Sequence, residues 1–147
     1  MKHILSLLLV TVVLSSLIGC SSTGGKDSIS SLSSDPAVTS LMQSAGVTAN
    51  QAIGGLGSIL SLAKSKVAPE DFSKLTAGLP SADKYMDALS GLGINSGDIK
   101  TALDLQGAYK KLGMSDDLQQ KFTPAAVNYV RSAGGEEAAN VLSGLGL

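Results

Sequence analysis

The chain of 147 residues is poor in the side chains that most often carry chemistry: one cysteine, one histidine, no tryptophan, and 3% aromatic residues. One cysteine excludes an intramolecular disulfide. The histidine is His3, so beyond Cys20 the sequence has no imidazole and no thiol. That removes Ser/His and Cys/His nucleophilic pairs and zinc held by His or Cys. Few aromatics leave few platforms on which bases or sugar rings stack. Eleven basic residues against twelve acidic ones give a formal charge of −1. No basic excess points to nucleic acid or to anionic lipid headgroups as a partner. No aspartate-rich calcium loop is present, and neither a metal nor a cofactor is expected. No alternating apolar and polar run is long enough to suggest a sheet.

What is present begins at the N-terminus. Lys2 precedes an apolar run from Ile4 to Leu14, interrupted only by Ser6 and Thr11. Extended to Ile18 it still falls short of the ~20 residues needed to span a bilayer. It reads as a targeting segment covering residues 1–19. The run closes on Leu17-Ile18-Gly19-Cys20, followed by Ser21-Ser22-Thr23-Gly24-Gly25. This arrangement resembles the lipobox of bacterial lipoproteins. The resemblance implies cleavage before Cys20, a diacylglycerol on its thiol, and membrane attachment through that lipid. Ser21 stands where an Asp would imply retention at the inner membrane. The expectation is therefore the outer membrane, facing the periplasm. Seven serines in residues 21–34, with Gly24 and Gly25, cannot bury enough apolar surface to offset chain entropy. Residues 20–34 are expected to be a lipidated, flexible tether with a reach of roughly 20 Å, leaving Ile29 and Leu32 for a short turn.

Residues 35–147 read as an all-α domain, a compact bundle of six or seven short helices. Asp35-Pro36 is a helix start, with an N-capping carboxylate and a proline at the first helical position. Thr48 with Gln51 forms a capping box ahead of Ala52, Ile53, Leu56, Ile59, Leu60 and Ala63, which share one face. Pro69-Glu70-Asp71 opens a third helix, and Ser81 a fourth. Gly97 to Leu112 reads as one longer amphipathic helix, and Ser115 opens the next. Thr123-Pro124 is expected to restart or kink it, and Gly134-Gly135 to break it before a last helix at Glu136. Three junctions share one chemistry: Gly46-Val47-Thr48, Gly93-Ile94-Asn95 and Gly113-Met114-Ser115. Each supplies a helix-ending glycine, an apolar staple and an N-capping oxygen. A further echo pairs Ala88-Leu89-Ser90-Gly91-Leu92-Gly93-Ile94 with Val141-Leu142-Ser143-Gly144-Leu145-Gly146-Leu147, which agree at five of seven positions.

Gly54-Gly55-Leu56-Gly57 with Leu60 and Leu62-Ala63-Lys64, then Phe72-Ser73-Lys74-Leu75 and Leu79-Pro80, then Leu112-Gly113-Met114 and Phe122-Thr123-Pro124, resemble the VcgC/VcgE-type bacterial domain of unknown function. The resemblance spans roughly residues 41–147. It implies a helical domain that is secreted or attached to the envelope, and it brings no catalytic residue.

Gly55-Leu56-Gly57 is not a dinucleotide fingerprint, because no strand precedes it and the third glycine is absent. Gly54 with Ser58, and Gly57 with Ser61, place small residues four apart on a helix. They form either a close helix–helix contact in the core or a groove that receives an apolar partner. The acidic pairs Glu70-Asp71, Asp116-Asp117 and Glu136-Glu137 fall in first turns, where the helix dipole accounts for them. Tyr85, Tyr109 and Tyr129 read as core-edge residues. The expected role is a non-catalytic structural or binding module of the envelope, with a protein partner there as one option and no nucleic acid. The alternative is a carboxylate-dependent envelope enzyme.

Overall fold

The computed structural model describes residues 26–147, and side chains from residue 29 onward. The targeting segment and the lipobox residues Leu17, Ile18 and Gly19, with Cys20, lie outside the described residues. Seven helices follow in order: α1 (Lys26–Leu32), α2 (Pro36–Ala45), α3 (Ala49–Lys66), α4 (Pro69–Ala77), α5 (Ala82–Gly91), α6 (Ala102–Lys111) and α7 (Asp116–Gly144), with a 3₁₀ turn at Ser96–Asp98 before α6. No strand occurs among the described residues. The architecture is all-α.

Local chemistry sets most of the boundaries. Asp35 accepts the Ala37 amide at 2.9 Å and starts α2 behind Pro36. At α3, Thr48 Oγ1 accepts the Gln51 amide at 3.3 Å and Gln51 Oε1 accepts the Thr48 amide at 3.0 Å, so both halves of the capping box form. The three repeated junctions share one geometry. Gly46, Gly93 and Gly113 have φ of 71°, 74° and 73°, a conformation that costs little only without a Cβ. Val47, Ile94 and Met114 follow into the core. Thr48, Asn95 and Ser115 each accept an amide of the next turn. Gln51 joins two of the junctions, since its Nε2 donates at 3.2 Å to the Leu112 and Gly113 carbonyls at the end of α6. The seven-residue echo also has a structural counterpart. Leu92-Gly93 ends α5 with φ of −95° and 74°, and Leu145-Gly146 ends α7 with −86° and 76°.

Four boundaries differ from the sequence reading. The bundle begins ahead of Asp35. Within the stretch expected to be tether, Lys26–Leu32 form α1, which packs on α5, and Leu32 is 2% exposed. A single well-placed leucine and Ile29 anchor a segment whose composition is otherwise polar. The helix expected from Gly97 starts instead at Ala102. Thr101 and Asp104 make a capping box there, with Thr101 Oγ1 accepting the Asp104 amide at 3.2 Å and Asp104 Oδ2 accepting the Thr101 amide at 2.8 Å. Pro124 does not restart α7; the backbone dihedrals stay helical through it. Pro124 and Gln120 are both exposed, so water reaches the carbonyl that proline leaves without a donor. The break expected at Gly134-Gly135 is present, at Gly135 with φ 77° and ψ −174°, so that α7 is two helical segments joined there. Ser81 does not cap α5; its hydroxyl donates to Asp35 Oδ2 at 2.8 Å, tying the start of α5 to the start of α2.

The centre of the molecule is α3. Twelve consecutive residues, Ala52 to Ala63, are buried, and α3 touches every other element of the bundle. A helix covered on all sides must be uncharged all round. This stretch satisfies that with Ala, Ile, Gly, Leu and Ser alone. Its three glycines cost about 1 kcal/mol each in helix propensity relative to alanine, and burial on every face offsets that.

Candidate functional site

The small residues of α3 lie inside the bundle. A Cβ on Gly57 would collide with the Tyr85 carbonyl of α5, and one on Gly55 with the Phe122 ring of α7. A Cβ on Gly54 would approach Leu92 Cδ1 to 2.9 Å and the Leu112 methyls more closely still. Ser58 and Ser61 are buried, and their hydroxyls donate to the Gly54 and Gly57 carbonyls at 2.7 and 2.8 Å. Bonded within their own helix, these hydroxyls need no further partner. Gly54 and Gly57 thus let α5 and the end of α6 approach the α3 backbone, as Gly55 does for α7; Ser58 is enclosed with them, and Ser61 also borders the groove between α3, α5 and the 3₁₀ turn.

Two of the three tyrosines sit deeper than the core edge, and Tyr129 lies at it. Tyr85 and Tyr109 are fully buried, and Tyr129 is half-buried. Neither the Tyr85 nor the Tyr109 hydroxyl makes a hydrogen bond of good geometry. Burial, and then the neighbouring Asp35 carboxylate, hold the Tyr85 phenol far above its usual range. Burial does the same to Tyr109, only partly countered by the Thr123 hydroxyl. Both phenols are therefore neutral packing groups. Tyr109 stacks edge-to-face on Phe122, with ring centroids 5.6 Å apart. Neutral, sealed phenols offer neither a nucleophile nor an acid to a substrate.

The acidic pairs occupy helix starts. Glu70 and Asp71 lie in the first turn of α4, and Asp116 and Asp117 in that of α7. Asp71 also accepts from Lys74 at 3.3 Å in an exposed pair, which is worth little. Among the described residues no group of three or more His, Cys, Asp or Glu side chains is arranged to hold a metal ion.

A groove of about 540 Å³ lies between α3, α5 and the 3₁₀ turn. Asp83 and Asp87, one turn apart on α5, face Lys64 across it, and Met86 and Ile99 supply apolar wall. The sequence reading did not single out this trio. The i, i+4 spacing of Asp83 and Asp87 was visible, but the juxtaposition with Lys64 requires the α3–α5 packing. All three side chains are exposed. Lys64 Nζ also lies 6.0 Å from the centre of the Phe72 ring. Solvated charges of both signs in an open groove suit reversible polar contact. No helix among the described residues is long and apolar enough to cross a membrane.

Among the described residues, seven helices with a buried Gly/Ser-containing one at their centre, the last three ending in Leu-Gly-apolar turns, define an all-α domain. Residues 21–146 match the family model described as protein of unknown function VcgC/VcgE (DUF2780), and the chain belongs to that family. The match takes in α1, so the family domain extends twenty residues further toward the N-terminus than the motifs from residue 41 onward indicated. No curated protein and no solved structure matches the chain.

Proposed function

We propose that this protein is a lipid-anchored module of the bacterial envelope with a structural or binding role and no catalytic one. The observation that carries this reading is Leu17-Ile18-Gly19-Cys20 at the end of a short apolar run behind Lys2. The family match begins at the next residue, which suits a boundary between a removed segment and the mature domain. α1 begins at Lys26, so an anchor at Cys20 holds the bundle within about 20 Å of the bilayer even with the intervening chain fully extended. The outer membrane, facing the periplasm, is the location that Ser21 favours. A non-catalytic role is supported by the absence of His and Cys beyond Cys20 and by the solvation of the carboxylates. The groove of Lys64, Asp83 and Asp87 keeps a carboxylate-dependent activity as the second reading.

The test is metabolic labelling with a fatty acid. The full chain is expected to take up label and to fractionate with membranes, and Cys20→Ser to lose both. Undiminished label in Cys20→Ser would refute the anchor.

A further inference from the structure

Two features of α6 have no use within the bundle. Leu103 is 78% exposed, the most exposed large apolar side chain among the described residues. One turn on, Gly107 sits inside the helix where a Cβ would meet nothing within 4 Å. A glycine there weakens the helix relative to alanine, and no neighbour among the described residues requires it. Leu103 and Gly107 are four residues apart and lie on one face. Both border a groove of about 220 Å³ whose deeper wall is made by Ile94, Ile99 and Ala108. A protruding isobutyl group thus stands about 6 Å along the helix from an open groove that has Ile94, Ile99 and Ala108 in its wall and Asn95, Asp98, Asp104 and Lys111 around them.

The charges along this groove are graded. Asp98, ahead of α6, and Asp104, in its first turn, lie on its rim, and Lys111 lies on the rim from the last turn. Lys110 adds to the positive end, and Lys100 offsets part of the negative end. The helix dipole runs the other way, positive at the N-terminus. An antiparallel copy of the same helix complements all of these: knob against hollow, acid against base, and dipole against dipole. We propose that the α6 face is a self-docking surface. Two copies of this chain pack α6 against α6 about a two-fold axis, each Leu103 entering the hollow beside Gly107 of the other, with Asp98 opposite Lys111. The contact is isologous, as a two-fold interface must be. It is one helix wide, which places it in the weak, transient class.

A weak contact is best read by trapping. Two differently tagged full-length copies are co-expressed, one carrying Leu103→Cys and the other Gly107→Cys, and oxidised mildly. A disulfide joining the two tags is expected. It should be absent when the second copy carries Ser73→Cys, an exposed position on α4. Cys20 is common to all pairs and is controlled by that comparison. Lys111→Glu in both copies is expected to lower the yield by about tenfold, and adding Asp98→Lys to restore it. Rescue by the double reversal separates docking from any loss of folding. Three results would each overturn the proposal: a yield no higher than with Ser73→Cys, a yield indifferent to charge reversal, or linkage of the Leu103→Cys copy only to a different protein.

Discussion

Glycine occurs inside both α3 and α6, and the two helices use it in opposite ways. In α3, glycine is demanded by neighbours: the Tyr85 carbonyl and the Phe122 ring occupy the space where side chains of residues 57 and 55 would stand. In α6, Gly107 faces open space. The same loss of helix propensity is offset in the first case by backbone contact within the fold. In the second it is left without return among the described residues. A glycine in a helix therefore says nothing about its role until its surroundings are known.

The contrast is tested most severely by one substitution made at two positions. Gly57→Ala adds a methyl group that only a shift of the α5 backbone can accommodate. We expect a loss of about 1–3 kcal/mol despite the better helix propensity of alanine, measured by chemical denaturation of the full chain. Stability equal to or above the parent would mean that α3 and α5 are less closely packed than the structure shows. Gly107→Ala is expected to have the opposite sign and a smaller size, a gain of about 1 kcal/mol. A loss at Gly107 would show that residue to be enclosed after all.

The smallest expected effect concerns the capping of α6 itself. Asp104 accepts from the Thr101 hydroxyl at 2.7 Å and from the Lys100 and Thr101 amides. The Thr101 hydroxyl bond first, and the backbone amides after it, hold its carboxyl below the usual value of 3.8. Because the folded value is the lower one, the cap contributes its stability above pH 3.8 and loses it as the pH falls through the folded value. Asp104→Ala should therefore flatten the acid limb of a stability–pH curve below about pH 4 while leaving the slope near neutrality unchanged. An unaltered acid limb would remove Asp104 from the account.

These contrasts also mark what the sequence could disclose. Helix starts and stops written in contiguous residues were legible: Asp35-Pro36, Thr48 with Gln51, and the three glycine–apolar–cap junctions all fold as their chemistry dictates. Thr101 with Asp104 carried the same signal, but the apolar stripe running through Ile99 and Ala102 hid the boundary. Ile99 is buried as that stripe requires, yet it packs from a non-helical segment. α1 was obscured because composition dominated: seven serines outweighed two apolar anchors. Long-range partnerships left no trace in local sequence. Ser81 looks like any capping serine until α5 brings it to Asp35, 46 residues away. Gly54 and Gly107 are indistinguishable as letters; only the packing of Leu92 and Leu112 against one of them tells core from surface.

The position of α3 bears on how the chain assembles. It leaves the ribosome before α5, α6 and α7, three of the helices that cover it, and the Phe122 ring that seals Gly55 comes from 67 residues later. Until α7 arrives, a stretch of twelve uncharged residues has an open side. Its contacts are far apart in sequence, so closing them is slow relative to forming any one helix. The nascent chain thus carries an adhesive segment while about sixty further residues are made, and the last helix completes the enclosure of the third. Folding of the interior is in this sense decided at the C-terminal end of the molecule.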